Sequence, residues 1–198
     1  MFLRRLMKDL VLPVAVAITL ALLIQAAVAK PYEIPTASMD PTIHPHDRII
    51  ANRLIYHFRD ISRGDIIVFH PTAEARASCQ SSAPASTPYV KRVIGLPGDS
   101  VSIVWGTRDV LINGARYTVP SAVPNDADPL SDSIAPTSEQ EAQRVWKVPP
   151  GTLFVMGDNR PYSCDSHLWT GNPYVPLGNV IGQAEVTYWP LRSATFLK

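Results

Sequence analysis

The sequence is short of glycine, cysteine and net charge, and each shortage closes off a class of protein. There are 10 glycines against 19 prolines in 198 residues. Proline lacks an N–H and clashes with the preceding helical turn, so strands and irregular turns are expected beyond the N-terminal segment. Formal net charge is +1, without the basic excess of a nucleic-acid-binding domain, and no nucleic-acid partner is expected. The two cysteines and five histidines form no C-x-x-C or H-E-x-x-H pattern, so no zinc site, other metal or cofactor is expected. Neither a G-x-S-x-G elbow nor an S-x-x-K helix motif occurs, which excludes the α/β-hydrolase and penicillin-binding readings. The length suits one domain with a small insertion. A 46% hydrophobic share argues against disorder.

What is present begins with Leu10 to Ala29, an uncharged run rich in Leu, Ile, Val and Ala. As a helix it would reach about 30 Å, the thickness of a bilayer's hydrocarbon core. Arg4, Arg5 and Lys8 precede it, so the positive-inside rule keeps residues 1–9 in the cytoplasm and sends residues 30–198 across a plasma membrane. A cleaved secretory signal ending near Ala26-Ala27-Val28-Ala29 is the rival. The apolar run is longer than a signal core of about 7–15 residues, which favours an anchor.

Beyond it, Arg48–Asn52 and Asp65–His70 are short apolar runs bounded by turn formers and read as strands, Tyr89–Ile94 reads as another, and Leu153–Met156 and Val180–Trp189 are the last strand candidates. Val101–Val104 and Val110–Ile112 suggest a hairpin ending at Asn113-Gly114. Thr72 to Pro88 lacks periodicity and reads as loop, and Pro120 to Glu141 as a polar surface excursion. The expected fold is mostly β on one anchor.

Two features could carry chemistry. Pro35 and Pro41 stiffen the segment around Ser38, and Ala37 leaves that serine uncrowded. Lys91 sits in the middle of an apolar strand. If it is buried, lost hydration depresses its pKa, and a neutral amine could take a serine's proton as histidine does in a triad. A rigid turn and a solvent-facing lysine are the plain alternatives for each.

Together, residues 34–42 (IPTASMDPT), 89–99 (YVKRVIGLPGD) and 157–166 (GDNRPYSCDS) resemble, in order and spacing, the boxes of type I signal peptidases. Arg63–Phe69 looks like the box between the first two. The resemblance implies a serine endopeptidase that removes signal peptides from exported preproteins after Ala-x-Ala type sites. It implies Ser38 as nucleophile, Lys91 as general base, and an oxyanion hole from the Thr36 hydroxyl and the Ser38 N–H. Ser163 would orient the lysine, and Asp158, Arg92 and Asp165 would support the site. Ile34, Pro35 and Thr36 on one side, with Tyr89 and Val90 on the other, would bind the substrate as an added strand. The implied fold is a core of coiled β-sheets with a small β subdomain inserted at about residues 101–148. Implied partners are preprotein signal peptides and a lipid bilayer.

His167 stands where the family commonly has arginine, which alters the partner of Asp165. Cys79 and Cys164 both lie on the expected exported side, where disulfides persist. They are either bonded or free thiols, depending on whether their Cα atoms lie within about 7 Å. Two other functions remain open: a Ser/Lys maturation peptidase with a dedicated substrate, and an inactive membrane-tethered β module that binds peptides.

Overall fold

The apolar run Ile66–Phe69 has no polar face because its strand is covered on both sides. Ile66 and Val68 join one buried cluster with Ile34, Met39, Ile43, Ile49 and Ala184. Ile67 and Phe69 join another with Val93, Leu153, Val155, Trp169 and Val175. Period-2 alternation sends successive side chains to opposite faces, so one strand serves two cores. The computed structural model describes residues 10–104, 107–123 and 144–197. The basic residues before the apolar run, and most of the Pro120–Glu141 stretch, lie outside these.

The described strands are β1 (Ala29–Glu33), β2 (Arg48–Asn52), β3 (Ile66–Phe69), β4 (Tyr89–Gly95), β5 (Ser100–Ile103), β6 (Asp109–Ile112), β7 (Ala115–Thr118), β8 (Trp146–Lys147), β9 (Thr152–Met156), β10 (Val175–Pro176), β11 (Val180–Trp189) and β12 (Thr195–Phe196). The larger sheet runs β1-β2-β11-β3-β4-β9-β10, with β12 on β11. Every pairing in it is antiparallel. The register of β11 shifts against both β2 and β3, and such bulges bend a strand and add twist. A smaller sheet, β7-β6-β5-β8, packs through Val101, Ile103, Val110 and Trp146 against Ile94, Phe154 and Met156 of the larger one. Asn113-Gly114 joins β6 to β7 with both residues at positive φ, 53° and 84°, the type I′ hairpin turn.

Helix α1 spans Leu12–Val28. The expected span of Leu10 to Ala29 is shortened because Ala29 and Lys30 are drawn into β1, opposite Asn52 and Ala51. Among the described residues no helix is long and apolar enough to cross a membrane. The Thr72–Pro88 loop reading also changes, since Ala73–Ser78 forms a short helix α2. The Thr72 hydroxyl caps it by accepting the Ala75 N–H at 3.2 Å. Six residues are too few to show a helical period.

Candidate active site

Ser38 lies on a 3₁₀ turn, Ala37–Met39, that follows β1. Met39 and Ile43 are fully buried and pin the turn to the core. The Ile34 N–H donates to the Asp47 carbonyl at 2.9 Å, and the His46 N–H to the Ile34 carbonyl at 2.7 Å. Thr36 is extended, and its hydroxyl donates to the Ser38 oxygen at 3.3 Å. A distant segment holds the same turn. The Asn159 N–H donates to the Ser38 carbonyl at 3.2 Å, and the Asn159 side-chain amide donates to the Ala37 carbonyl at 2.9 Å.

Gly157 lets that segment approach. A Cβ there would fall 2.2 Å from both the Ser38 carbonyl oxygen and the Ser163 hydroxyl. Neither Gly157 nor Asn159 was expected as a site residue, because their contacts cross more than half the chain and leave no local pattern. Arg160, 1% exposed, folds back beneath, its Nε donating to the Gly157 carbonyl at 3.1 Å.

Lys91 is on β4 opposite Ile67 of β3, and only 4% exposed. Burial lowers its pKa to about 8, and the charges of Asp165 and Asp158 partly oppose the fall. Its amine makes no hydrogen bond with a described residue, including Ser38 and Ser163. Ser38 and Lys91 instead line one cleft of about 370 Å³, together with Pro35, Thr36, Tyr89 and Tyr162. On one side Tyr89, Val90 and Lys91 pair with β3, while on the other β9 begins to pair only at Arg92. The first half of β4 therefore keeps a free backbone edge. Of the expected substrate residues, Pro35, Thr36 and Tyr89 line the cleft. Ile34 is buried and Val90 packs against its cluster, so their side chains face the core.

Two buried aspartates flank this arrangement. Asp158 accepts from Arg92 twice, Nε to Oδ1 at 2.8 Å and Nη2 to Oδ2 at 2.6 Å, and also from the Thr42 and Ser121 hydroxyls. Burial acts to raise its pKa, and the Arg92 bonds and charge outweigh this and hold it below the usual range. Arg92 reaches on to the Gly64 carbonyl at 2.8 Å. Asp165 accepts the Gly157 N–H at 2.8 Å and meets the His167 ring at 2.6 Å. Burial again acts to raise its pKa, and the His167 ring and Lys91 amine hold it low. The Ser163 hydroxyl is fully buried and faces Asp165 outside ordinary hydrogen-bonding geometry.

Cys79 and Cys164 form a disulfide with Cα atoms 5.7 Å apart. It ties the end of α2, and the Gln80–Ala83 wall of the cleft, to the segment carrying Ser163 and Asp165. Trp169 buttresses it, donating its indole N–H to the Cys79 sulfur at 3.2 Å. No cluster of metal-ligating side chains occurs among the described residues. A buried amine, a nearby hydroxyl and an open strand edge in one cleft suit acyl transfer on an extended peptide.

Similarity to known proteins extends along most of the chain. The family model for signal peptidase, peptidase S26, matches residues 7–189. A signal peptidase I of Leptolyngbya laminosa is 39% identical over 178 residues, covering 90% of this chain and 77% of that protein. A probable signal peptidase I-1 of Synechocystis is 37% identical over 175 residues, covering 88% and 79%. The crystal structure of a signal peptidase I from Enterococcus faecalis is 27% identical and covers 63% of this chain and 97% of its own, with a TM-score of 0.40.

Proposed function

The chain belongs to the signal peptidase family, peptidase S26, and we propose that it removes signal peptides from exported preproteins with Ser38 as nucleophile and Lys91 as general base. The observation that carries this reading is the burial of Lys91. An amine whose pKa falls to about 8 is neutral in roughly one molecule in ten at pH 7, against about one in three thousand for an ordinary lysine. In its neutral form it can accept a hydroxyl proton.

The Ser38 oxygen attacks the scissile carbonyl as its proton passes to the Lys91 amine. The ammonium then gives that proton to the departing amine, leaving an ester on Ser38. Water, deprotonated in turn by Lys91, hydrolyses the ester and frees the serine. The Thr36 hydroxyl and Ser38 N–H stabilise the oxyanion, and the loss of one such donor costs about 3–4 kcal/mol of barrier. Ser163 orients the amine once substrate has closed the cleft. Asp158, Arg92 and Asp165 hold the walls in place. The substrate pairs with the free edge of β4 at Tyr89–Val90 and with Pro35–Thr36, and its small residues enter shallow apolar pockets beside them.

The finer membrane reading rests on α1. Its 17 residues span about 25 Å at ~1.5 Å per residue, and a turn at Leu10–Val11 extends it. Leu12, Val14, Val16, Ile18 and Leu20 are each about half exposed. At 100° per residue they point around the helix and not to one buried face. This suits a single anchor, and Arg4, Arg5 and Lys8 before it favour residues 1–9 cytoplasmic and residues 30–198 outside. The full chain should resist alkaline extraction from membranes, and a chain lacking residues 1–28 should be released.

The central test pairs the full chain with a preprotein bearing an Ala-x-Ala site. Site-specific cleavage is expected from the parent, with a loss of ~10³-fold or more in Ser38→Ala and Lys91→Ala. Cleavage should rise with pH through about 8 as Lys91 loses its proton. Equal activity in all three proteins would end the mechanism.

A further inference from the structure

A second cleft, of about 550 Å³, opens where α1 enters the sheet, lined by Lys30, Arg53, His57 and His70 with Tyr32 and Asn179 among others. No carboxylate among the described residues lines it. Among the described residues neither Lys30 nor Arg53 is paired with an acid, although nearby Arg59 is already committed to Asp65 at 2.8 Å. The Lys30 amine is held over the Tyr32 ring, 5.3 Å from its centroid. The rim is braced by a reciprocal pair in which the His70 N–H donates to the Asn179 carbonyl and the Asn179 amide to the His70 carbonyl, each at 2.9 Å. Unpaired cations facing one cavity repel one another, and an anion placed between them relieves that repulsion.

The position of the cleft identifies the anion. The Arg53 N–H donates to the carbonyl of Val28, the last residue of α1, at 2.9 Å, and Lys30 is two residues further on. If α1 spans a bilayer, as proposed above, both cations lie at the depth of the headgroups. Phe58, which follows His57, is 83% exposed, and an aromatic ring beside basic residues suits an interface with lipid. We infer that this cleft binds the phosphate of an anionic phospholipid and so fixes the height of the catalytic domain over the membrane. The inference rests on the anchor reading of α1.

The test uses the full chain in nanodiscs of mixed phosphatidylcholine and phosphatidylglycerol, released into mild detergent, with retained lipid counted by native mass spectrometry. The parent should retain phosphatidylglycerol over phosphatidylcholine by on the order of tenfold, and a Lys30→Gln/Arg53→Gln double variant should lose that preference. The double variant should still cleave a soluble peptide at the parental rate, which shows that it is folded. Equal retention of the two lipids by the parent, or an unchanged preference in the variant, overturns the inference. Displacement of the lipid by an equal concentration of inorganic phosphate, or selective binding of an acidic peptide in its place, overturns the lipid assignment. Failure of the full chain to enter nanodiscs of either lipid overturns the anchor reading and this inference with it, whereas entry without preference overturns this inference alone.

Discussion

Asp158 and Asp165 lie seven positions apart, in one segment, at nearly the same depth, yet the chain answers their charges differently. Asp158, 1% exposed, meets a guanidinium that stays charged at any pH the protein meets. Asp165, 0% exposed, meets an imidazole, the side chain whose charge ordinarily changes near neutrality, and it faces the amine of Lys91. The first arrangement is closed and its charge is constant. The second carboxylate is shared with the base itself. A site that moves protons needs both, a rigid wall to hold its geometry and a compensating charge that yields as the base gains and loses its proton.

The largest expected effect comes from breaking the closed pair. Arg92→Met leaves Asp158 buried without its cation and opens the link to Gly64. A loss of about 3–5 kcal/mol of folding stability is expected in urea unfolding. Without the cation, burial dominates and raises the pKa of Asp158 in the variant, so the loss should be fullest at alkaline pH and shrink as pH falls through that raised value. In the parent the folded pKa of Asp158 is depressed, so the stability it contributes is present above the ordinary carboxylate range and disappears as pH falls through the folded value. A loss that does not change with pH would show that groups other than Arg92 keep Asp158 charged.

Next in size, and opposite in sign, is Lys91→Met. With the folded pKa at about 8 against an ordinary value of 10.5, burying the amine costs up to about 3 kcal/mol below pH 8. Between those two values the unfolded chain binds more protons, so parental stability rises with pH. The methionine variant should be inactive yet more stable at pH 7, by as much as about 3 kcal/mol, and should lack the alkaline rise. A variant less stable than the parent at pH 7 would mean that the ammonium is well satisfied in the fold.

Some of this was legible in the residues themselves. Lys91 stood out because a lone charge interrupts Tyr89–Ile94, and Ser38 because two prolines bracket it. The strands Arg48–Asn52 and Val180–Trp189 were read with their observed bounds, since each is rich in strand-forming residues and flanked by turn formers. β1 was not read as a strand. It is an edge, and Pro31 is tolerated there because an outer N–H needs no partner. The roles of Asn159 and Gly157 were out of reach for a different reason. Asn159 bonds to a backbone carbonyl 122 residues away, and a backbone carbonyl has no side-chain identity for a motif to record. The end of α1 was set by the pairing of Ala29 with Asn52, a tertiary event that hydropathy does not encode.

A smaller effect should follow Asp165→Asn. The amide keeps the shape and an acceptor for the Gly157 N–H, so stability should fall by about 1–2 kcal/mol. The proton balance at Lys91 should change more visibly. Asp165 is the stronger of the two charges that oppose the burial of that amine, and its removal lets the pKa fall further. The rise of kcat/KM with pH should therefore begin at lower pH than in the parent. No movement, or movement toward alkaline pH, would separate Asp165 electrostatically from the base.

His167→Arg is the mildest change and bears most directly on the contrast between the two aspartates. It gives Asp165 a partner of the kind Asp158 already has. The Asp165 carboxylate pulls on the Lys91 proton, and an imidazole does not offset that pull with the permanent charge of a guanidinium. A permanent cation removes that pull, and cleavage should rise at a lower pH than in the parent, by a few-fold in rate near neutrality. His167→Gln, which is never charged, should move the rise the other way. If arginine and glutamine shift the pH profile in the same direction, the histidine acts through packing alone, and Asp165 is as closed a site as Asp158.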